Sequence, residues 1–309
     1  MKQKIEQKIY HYTDENGLFG ILESKNLWLV NLEDMKDPTD RVWASVILKK
    51  VIKKSNKENA KILKRELKAK NINIDQILSE HENIPFYSAS FCKNNKNKFL
   101  WKYYGKKGKG FCIEFNASYL IEQIHKIIKK NYNSLGNGDI ADSDLDICFR
   151  NLIYNFSKKN LETVLRDTKR LLFNDNIMNL TNEDLKNWVL LTFDIYMGTI
   201  KKRKYHRENE TRLLFQDKYT NPCDDICLIR KENYKNSMNQ LGLNNQINEN
   251  KKNIIKLDLS TFFNEQLITK IIVGSKIKNN KKILYELKKK MTTAGIENVL
   301  IVDRKNRLL

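Results

Sequence analysis

Three short groups of residues have the types and spacing that chemistry needs. The first is Tyr10-His11-Tyr12-Thr13. The second is Tyr87-Ser88-Ala89-Ser90-Phe91, followed by Trp101-x-x-Tyr104-Gly105 and Lys109-Gly110. The third is His206-Arg207-Glu208-Asn209-Glu210-Thr211-Arg212. Residues two apart on a strand share a face. His11 and Thr13 can therefore point into one pocket, and Glu208 and Glu210 can share a face if their segment is extended. Two such carboxylates repel, which raises one of the pair. They can then divide roles, one polarising a hydroxyl and the other orienting an acceptor. A plainer reading stands beside this one: Glu208 and Glu210 counter Arg203, Arg207 and Arg212 at the surface, and His11 is a hydrogen-bonded structural residue.

A fourth feature is electrostatic. Between Lys93 and Lys109 there are seven Lys and no acidic residue, with Trp101, Tyr103 and Tyr104 among them. Lys93, Lys96, Lys98 and Lys102 are candidate phosphate contacts. The whole chain carries 57 Lys and Arg against 37 Asp and Glu, a net charge of +20. Such a field attracts polyanions. An AT-rich genome would load a surface with Lys, Asn and Ile in the same way. The five cysteines are sparse, as in a reducing compartment. Cys223 and Cys227 stand x3 apart without the further His or Cys that completes a zinc site, so no metal is expected.

The elements that must hold these residues are readable from periodicity. Ile9–Thr13 reads as a strand, Asn16–Ser24 as a short helix and Leu27–Val30 as a second strand, with a turn at Asp37-Pro38. Residues 42 to 70 read as helical with a basic face. Phe86–Cys92 and Gly110–Phe115 read as strands, and Lys93–Lys109 between them as a loop. Residues 117 to 201 look mostly helical, and Thr181-Asn-Glu-Asp184 resembles a capping box. Arg212–Gln216 reads as a strand, 235 to 252 as a long polar loop, and the end as a βαβ-like unit of Ile268–Gly274, a helix near Lys281–Lys290, and Val299–Val302. Strand-rich ends around a helical middle favour an α+β fold. We expect one domain over 1–309 with a helical insertion at about 117–201. The longest candidate, Trp188–Phe193, is too short for a membrane span of ~20 residues, and residues 1 to 17 have no signal-peptide stretch. No membrane association and a cytoplasmic location are expected.

Several of these pieces occur in a familiar order: Tyr10-His11-Tyr12-Thr13, Leu27-Trp28-Leu29, Asp37-Pro38, Ser90-Phe91-Cys92, Trp101-x-x-Tyr104-Gly105, Gly110-Phe111-Cys112-Ile113, Glu208-x-Glu210-x-Arg212 and Ile271-Ile272-Val273-Gly274. Together they resemble the bacterial domain-of-unknown-function family 2971, from about residue 9 to about residue 302. The order carries the resemblance, since no piece is specific alone. Two departures stand out. The family's Asn-Asp-Pro-x-Glu is here Lys36-Asp37-Pro38-Thr39-Asp40, and Thr211 replaces a frequent aromatic residue. The layout also resembles, more distantly, the ADP-ribosyltransferases, with His11 on the first strand, Ser88-Ala89-Ser90 on the second and Glu208-Asn209-Glu210 late in the chain.

That second resemblance implies an ADP-ribosyltransferase-like mixed β core, NAD as the bound nucleotide, and a role as a toxin or phage-defence effector with an antitoxin or defence-system partner. It implies that Glu210 stabilises an oxocarbenium-like state and that Glu208 positions or deprotonates the acceptor. His11 and Thr13 would hydrogen-bond the adenosine-side ribose. Ser88 and Ser90 would buttress Glu210 and the nicotinamide ribose. Trp101 or Tyr104 would stack on the nicotinamide or fill the core. No GxGxxG follows a strand, which argues against a Rossmann site. Two other functions fit the residues: a non-catalytic basic nucleic-acid-binding protein, whose aromatic residues among lysines suit single strands, and a metal-free nuclease using His11, His206 and Glu210.

Overall fold

The computed structural model describes residues 8–35, 39–81, 85–133, 147–173, 180–216, 245–247 and 253–309. The expected turn at Asp37-Pro38, the Cys223 and Cys227 pair and most of the polar stretch 235–252 lie outside the described residues. The strands are β1 (Lys8–Thr13), β2 (Asn26–Asn31), β3 (Phe86–Cys92), β4 (Phe111–Asn116), β5 (Ile147–Asn151), β6 (Glu210–Gln216), β7 (Asn245–Ile247), β8 (Asn253–Asp258), β9 (Ile268–Val273) and β10 (Leu300–Asp303). The helices are α1 (Glu15–Ser24), α2 (Thr39–Lys54), α3 (Glu58–Ala69), α4 (Ile74–His81), α5 (Lys98–Tyr103), α6 (Ala117–Asn133), α7 (Lys158–Phe173), α8 (Asn182–Tyr196) and α9 (Lys281–Ala294). The fold is mixed α+β. Among the described residues no helix is long and apolar enough to cross a membrane.

The chain divides into two compact units. One comprises Leu32–Phe86 and Asn151–His206, and the other Lys4–Asn31, Tyr87–Arg150 and Arg207–Leu309. The expected insertion at about 117–201 is shared between them: α7 and α8 belong with α2, α3 and α4, whereas α6 and β5 belong to the sheet.

The first unit is helical. Its core gathers Leu48, Leu63, Leu161, Leu165, Leu185 and Trp188, all fully buried. Trp188 is held by more than packing, because its indole N–H donates to the Leu165 carbonyl and the Thr168 hydroxyl, each at 3.0 Å. The α8 N-terminus is fixed as its sequence foretells. The Asp184 amide donates to Thr181 Oγ1 at 3.1 Å and the Thr181 amide to Asp184 Oδ2 at 2.7 Å, satisfying donors that a helix start leaves open.

The second unit is built on a sheet in the order β10-β9-β4-β1-β3-β2-β8-β7, with β6 pairing β3 and β5. The pair β9 and β10 is parallel and joined through α9, while β1 runs antiparallel to β3 and β4. Alternation along β1 explains which side is dry. Ile9 faces a core with Phe91, Phe111, Ile113, Phe115, Leu213 and Phe215, covered by apolar residues of α1, α6 and α9 such as Leu18, Leu120 and Leu287. Each such side chain contributes about 1.5–3 kcal/mol on burial. Tyr12 faces the opposite side and packs with Cys92, Cys112, Leu100 and Trp101.

Two expected loops contain regular structure. Lys93–Lys109 holds α5, because Asn97 Oδ1 accepts from the Phe99 and Leu100 amides at 2.9 and 3.2 Å, and because Leu100 and Trp101 are buried beneath it. This cap and two buried side chains outweigh the loop's lysines. The stretch 235–252 supplies β7, which pairs with β8. A sheet edge is satisfied by main-chain groups, so polar side chains are no obstacle.

Candidate functional site

Ser90 joins the three sequence groups. Its hydroxyl donates to Glu210 Oε1 at 2.5 Å, while its carbonyl accepts from His11 Nδ1 at 2.9 Å. Arg212 Nε donates to the same Glu210 oxygen at 2.7 Å. A carbonyl only accepts, so His11 carries its proton on Nδ1. The pairing of β6 with β3 brings the two strands' side chains together. Glu210 is 7% exposed and Arg212 1%, so this is a buried ion pair in which the guanidinium balances the carboxylate. It is not the exposed counter-charge that the plainer sequence reading offers. Ser90, by contrast, is exposed. The result is an outward-facing hydroxyl bonded to a carboxylate that is itself anchored inside.

Glu208 and Glu210 do not share a strand face. The strand begins at Glu210, whereas Glu208 ends a 3-10 turn over Arg203–Glu208. Asn209 between them has φ +46°, the left-handed conformation that Asn tolerates better than most residues. The extended geometry on which the expected pairing depends is therefore absent. Both carboxylates are nonetheless buried, Glu208 at 5% exposure. Asn97 fixes the approach: its Nδ2 donates to the carbonyls of Arg207 at 2.7 Å and Glu208 at 3.4 Å. Its own amide donates to the Tyr12 hydroxyl at 3.2 Å, and that hydroxyl donates to the Asn94 carbonyl at 2.8 Å. Sequence reasoning missed Asn97. The signal was its place as the N-cap of a short helix.

His11 and Thr13 stand apart from Ser90's side chain. The His11 ring is 5.7 Å from that of Phe91, a residue of the covered core. Phe91 and Ser90 are neighbours on β3, so their side chains leave opposite faces of the sheet. His11 thus reaches the network through Ser90's main chain. Burial lowers its pKa from the ordinary 6.5, opposed in part by the Ser90 carbonyl. Thr13 packs where α1 begins, and a Cβ on Gly17 would fall 2.0 Å from its Oγ1. Ser88 is buried beside Val30 in the β2–β3 register.

Of the two aromatic residues expected to stack on a ring, Trp101 is used in the core. It is 2% exposed, meets Tyr12 edge-on at 5.2 Å, lies under the Arg304 guanidinium at 5.0 Å, and donates its N–H to the Asn95 carbonyl at 2.8 Å. Those partners match the core-filling alternative that its type also allows. Tyr104 is 36% exposed. Lys96, Lys98 and Lys102 are exposed and Lys93 half-buried. His206 is exposed and donates through Nδ1 to the Arg203 carbonyl at 2.9 Å. Among the described residues, no group of three or more His, Cys, Asp or Glu is placed to hold a metal.

A model of the family described as protein of unknown function (DUF2971) matches residues 100–213. The match runs from α5 to β6 and includes Trp101, Tyr104, Glu208, Glu210 and Arg212, and it supports the resemblance to that family. His11, Ser88 and Ser90 precede it. No curated protein and no solved structure matches the chain.

Proposed function

We propose that this protein is an ADP-ribosyltransferase-like enzyme that consumes NAD, with Glu210 at the ribosyl centre. The bond from Ser90 to Glu210 carries the reading. A carboxylate that accepts from a hydroxyl at 2.5 Å is a donor–acceptor set suited to a ribose hydroxyl, and Ser90 marks the side from which solvent reaches it. The arrangement fits the substrate chemically, because an oxocarbenium-like state gains most from a fixed negative charge nearby.

In the proposed reaction the bond between the nicotinamide nitrogen and ribose C1′ breaks, and its electron pair neutralises the ring nitrogen. An acceptor oxygen then bonds to C1′ and gives its proton to Glu208. With water as acceptor the product is free ADP-ribose, and with a macromolecule it is an ADP-ribosylated adduct. Arg212 keeps Glu210 in place, Ser90 aims it, and His11 steadies Ser90 from the opposite face. His11 thereby takes a positioning role in place of direct ribose contact, and Tyr104 remains the aromatic candidate for the nicotinamide ring. An activity of this kind inside the cytoplasm suits a toxin or phage-defence effector held in check by a partner.

The test is direct. The protein is incubated with NAD labelled on the adenylate, with and without nucleic acid and protein acceptors, and free nicotinamide and labelled acceptor are quantified. Release of nicotinamide above the protein-free control is expected. None under any of these conditions contradicts the reading.

A further inference from the structure

The lysine loop is continued by a segment about 170 residues further along the chain. The Gly274 amide donates to the Gly110 carbonyl and the Lys276 amide to the Gly108 carbonyl, both at 2.9 Å. The two backbones touch. A Cβ on Gly274 would lie 2.3 Å from Gly108 O, and one on Gly110 would lie 2.4 Å from Thr13 O. Only glycine permits that approach. Lys107, Lys109 and Lys276 are thereby brought onto one ridge, all exposed, and none has an acidic partner among the described residues. Lys106 differs, since it pairs with Asp14 at 3.1 Å.

The ridge is unusual in its backbone as well. Lys106, Lys107 and Gly108 have φ values of +45°, +55° and +85°. Two consecutive lysines in the left-handed region cost stability, and the contacts just described hold them there. Lys102 and Tyr103 stand just ahead of the ridge in the chain, at the end of α5. Tyr103 is 53% exposed, leans on Phe99 with ring centroids 4.5 Å apart, and has Lys102 Nζ 5.0 Å from its ring centre. A supported, outward aromatic ring beside unneutralised ammonium groups offers both halves of single-strand recognition: stacking for a base and charge for the phosphates.

We infer that Lys102, Tyr103, Lys107, Lys109 and Lys276 form a binding surface for single-stranded nucleic acid. A duplex hides its base faces and can use only the charge. An anionic membrane likewise uses the charge and has no base to stack on Tyr103.

The experiment measures binding of a fluorescent single-stranded oligonucleotide to the whole protein across a salt series, without NAD, so that the outcome is separate from the transferase reading. Each lost phosphate contact on a single strand lowers the log–log salt slope by about 0.7. Replacing Lys107, Lys109 and Lys276 with Gln should reduce it by about 2. Tyr103→Ala should weaken binding roughly ten-fold or more with the slope unchanged. Replacing Lys288 and Lys289 on α9 should leave both quantities near wild type. The inference is overturned if the ridge variant binds as wild type does, if the α9 variant loses as much, or if the protein binds anionic vesicles and no oligonucleotide. Melting curves confirm that each variant is folded.

Discussion

Ser90 and Glu210 lie 120 residues apart and are joined by a 2.5 Å hydrogen bond from a hydroxyl in solvent to a carboxylate in the interior. This bond ties β3 to β6, two strands distant in the chain that pair in the sheet. It also makes Glu210 a fixed charge: Arg212 holds the same oxygen from within, so the carboxylate cannot swing without breaking two charge-assisted bonds.

Asn97 should matter more than its place in a lysine-rich segment implies. It caps α5 through Oδ1 and holds the Arg207 and Glu208 carbonyls through Nδ2. Asn97→Asp keeps the cap but turns the donor into an oxygen facing two carbonyls, so nicotinamide release should fall while the α5 cap is preserved. Asn97→Ala should also lose about 1 kcal/mol of stability. Equal turnover in Asn97→Asp and wild type would show that the Glu208 turn needs no such tether.

His11 predicts a pH dependence of stability. Its folded pKa lies below the ordinary 6.5 because burial disfavours the imidazolium. Between those two values the unfolded chain binds a proton that the folded protein does not. Stability is therefore fully present above pH 6.5 and declines as the pH falls below it. Glu114 and Asp14 have lowered values too, but the ordinary values of 4.5 and 3.8 place their losses further into acid. Thermal melts at pH 7 and 5.5 should show a larger fall for wild type than for His11→Gln. Parallel falls would mean that His11 is not the titrating group.

The chain's ends were the most legible part of this fold. β1, β2, β3, β4 and the β9-α9-β10 unit each show their periodicity within a few residues, and Thr181 and Asp184 spell out the start of α8. The helix α5 was hidden because six residues with two buried side chains are too few for a 3.6-residue period to register. β7 was hidden because a polar edge strand is chosen by its neighbour. Within the site, residue types were legible but geometry was not. Nothing local to Glu208-Asn209-Glu210 announces the positive φ at Asn209 that separates the two carboxylates. The two faces of β3 decide that Ser90 turns to Glu210 while His11 meets Phe91, and only the β1–β3 pairing reveals it.

Two glycines should respond oppositely to alanine. At Gly274 a methyl would meet the carbonyl oxygens of Gly108 and Gly110 at 2.3 and 2.7 Å. Backbone cannot yield as a side chain does, so Gly274→Ala should cost about 1–3 kcal/mol or more and lower Tm by several degrees. At Gly20, inside α1, a methyl meets nothing within 4 Å, and Gly20→Ala should raise stability by up to about 1 kcal/mol through helix propensity. Similar melts for both variants would refute the close approach of the two loops.

The central claim is that Glu210 acts through its charge on the ribosyl transition state. Glu210→Gln keeps the shape and a hydrogen-bonding oxygen for Ser90 while removing that charge. The decisive measurement is the steady-state rate of nicotinamide release from NAD by wild type and by Glu210→Gln, with NAD affinity and melting temperature followed in parallel. The account predicts a fall in kcat on the order of 10² to 10³ with affinity nearly intact in a folded variant. A folded Glu210→Gln that releases nicotinamide at the wild-type rate contradicts it.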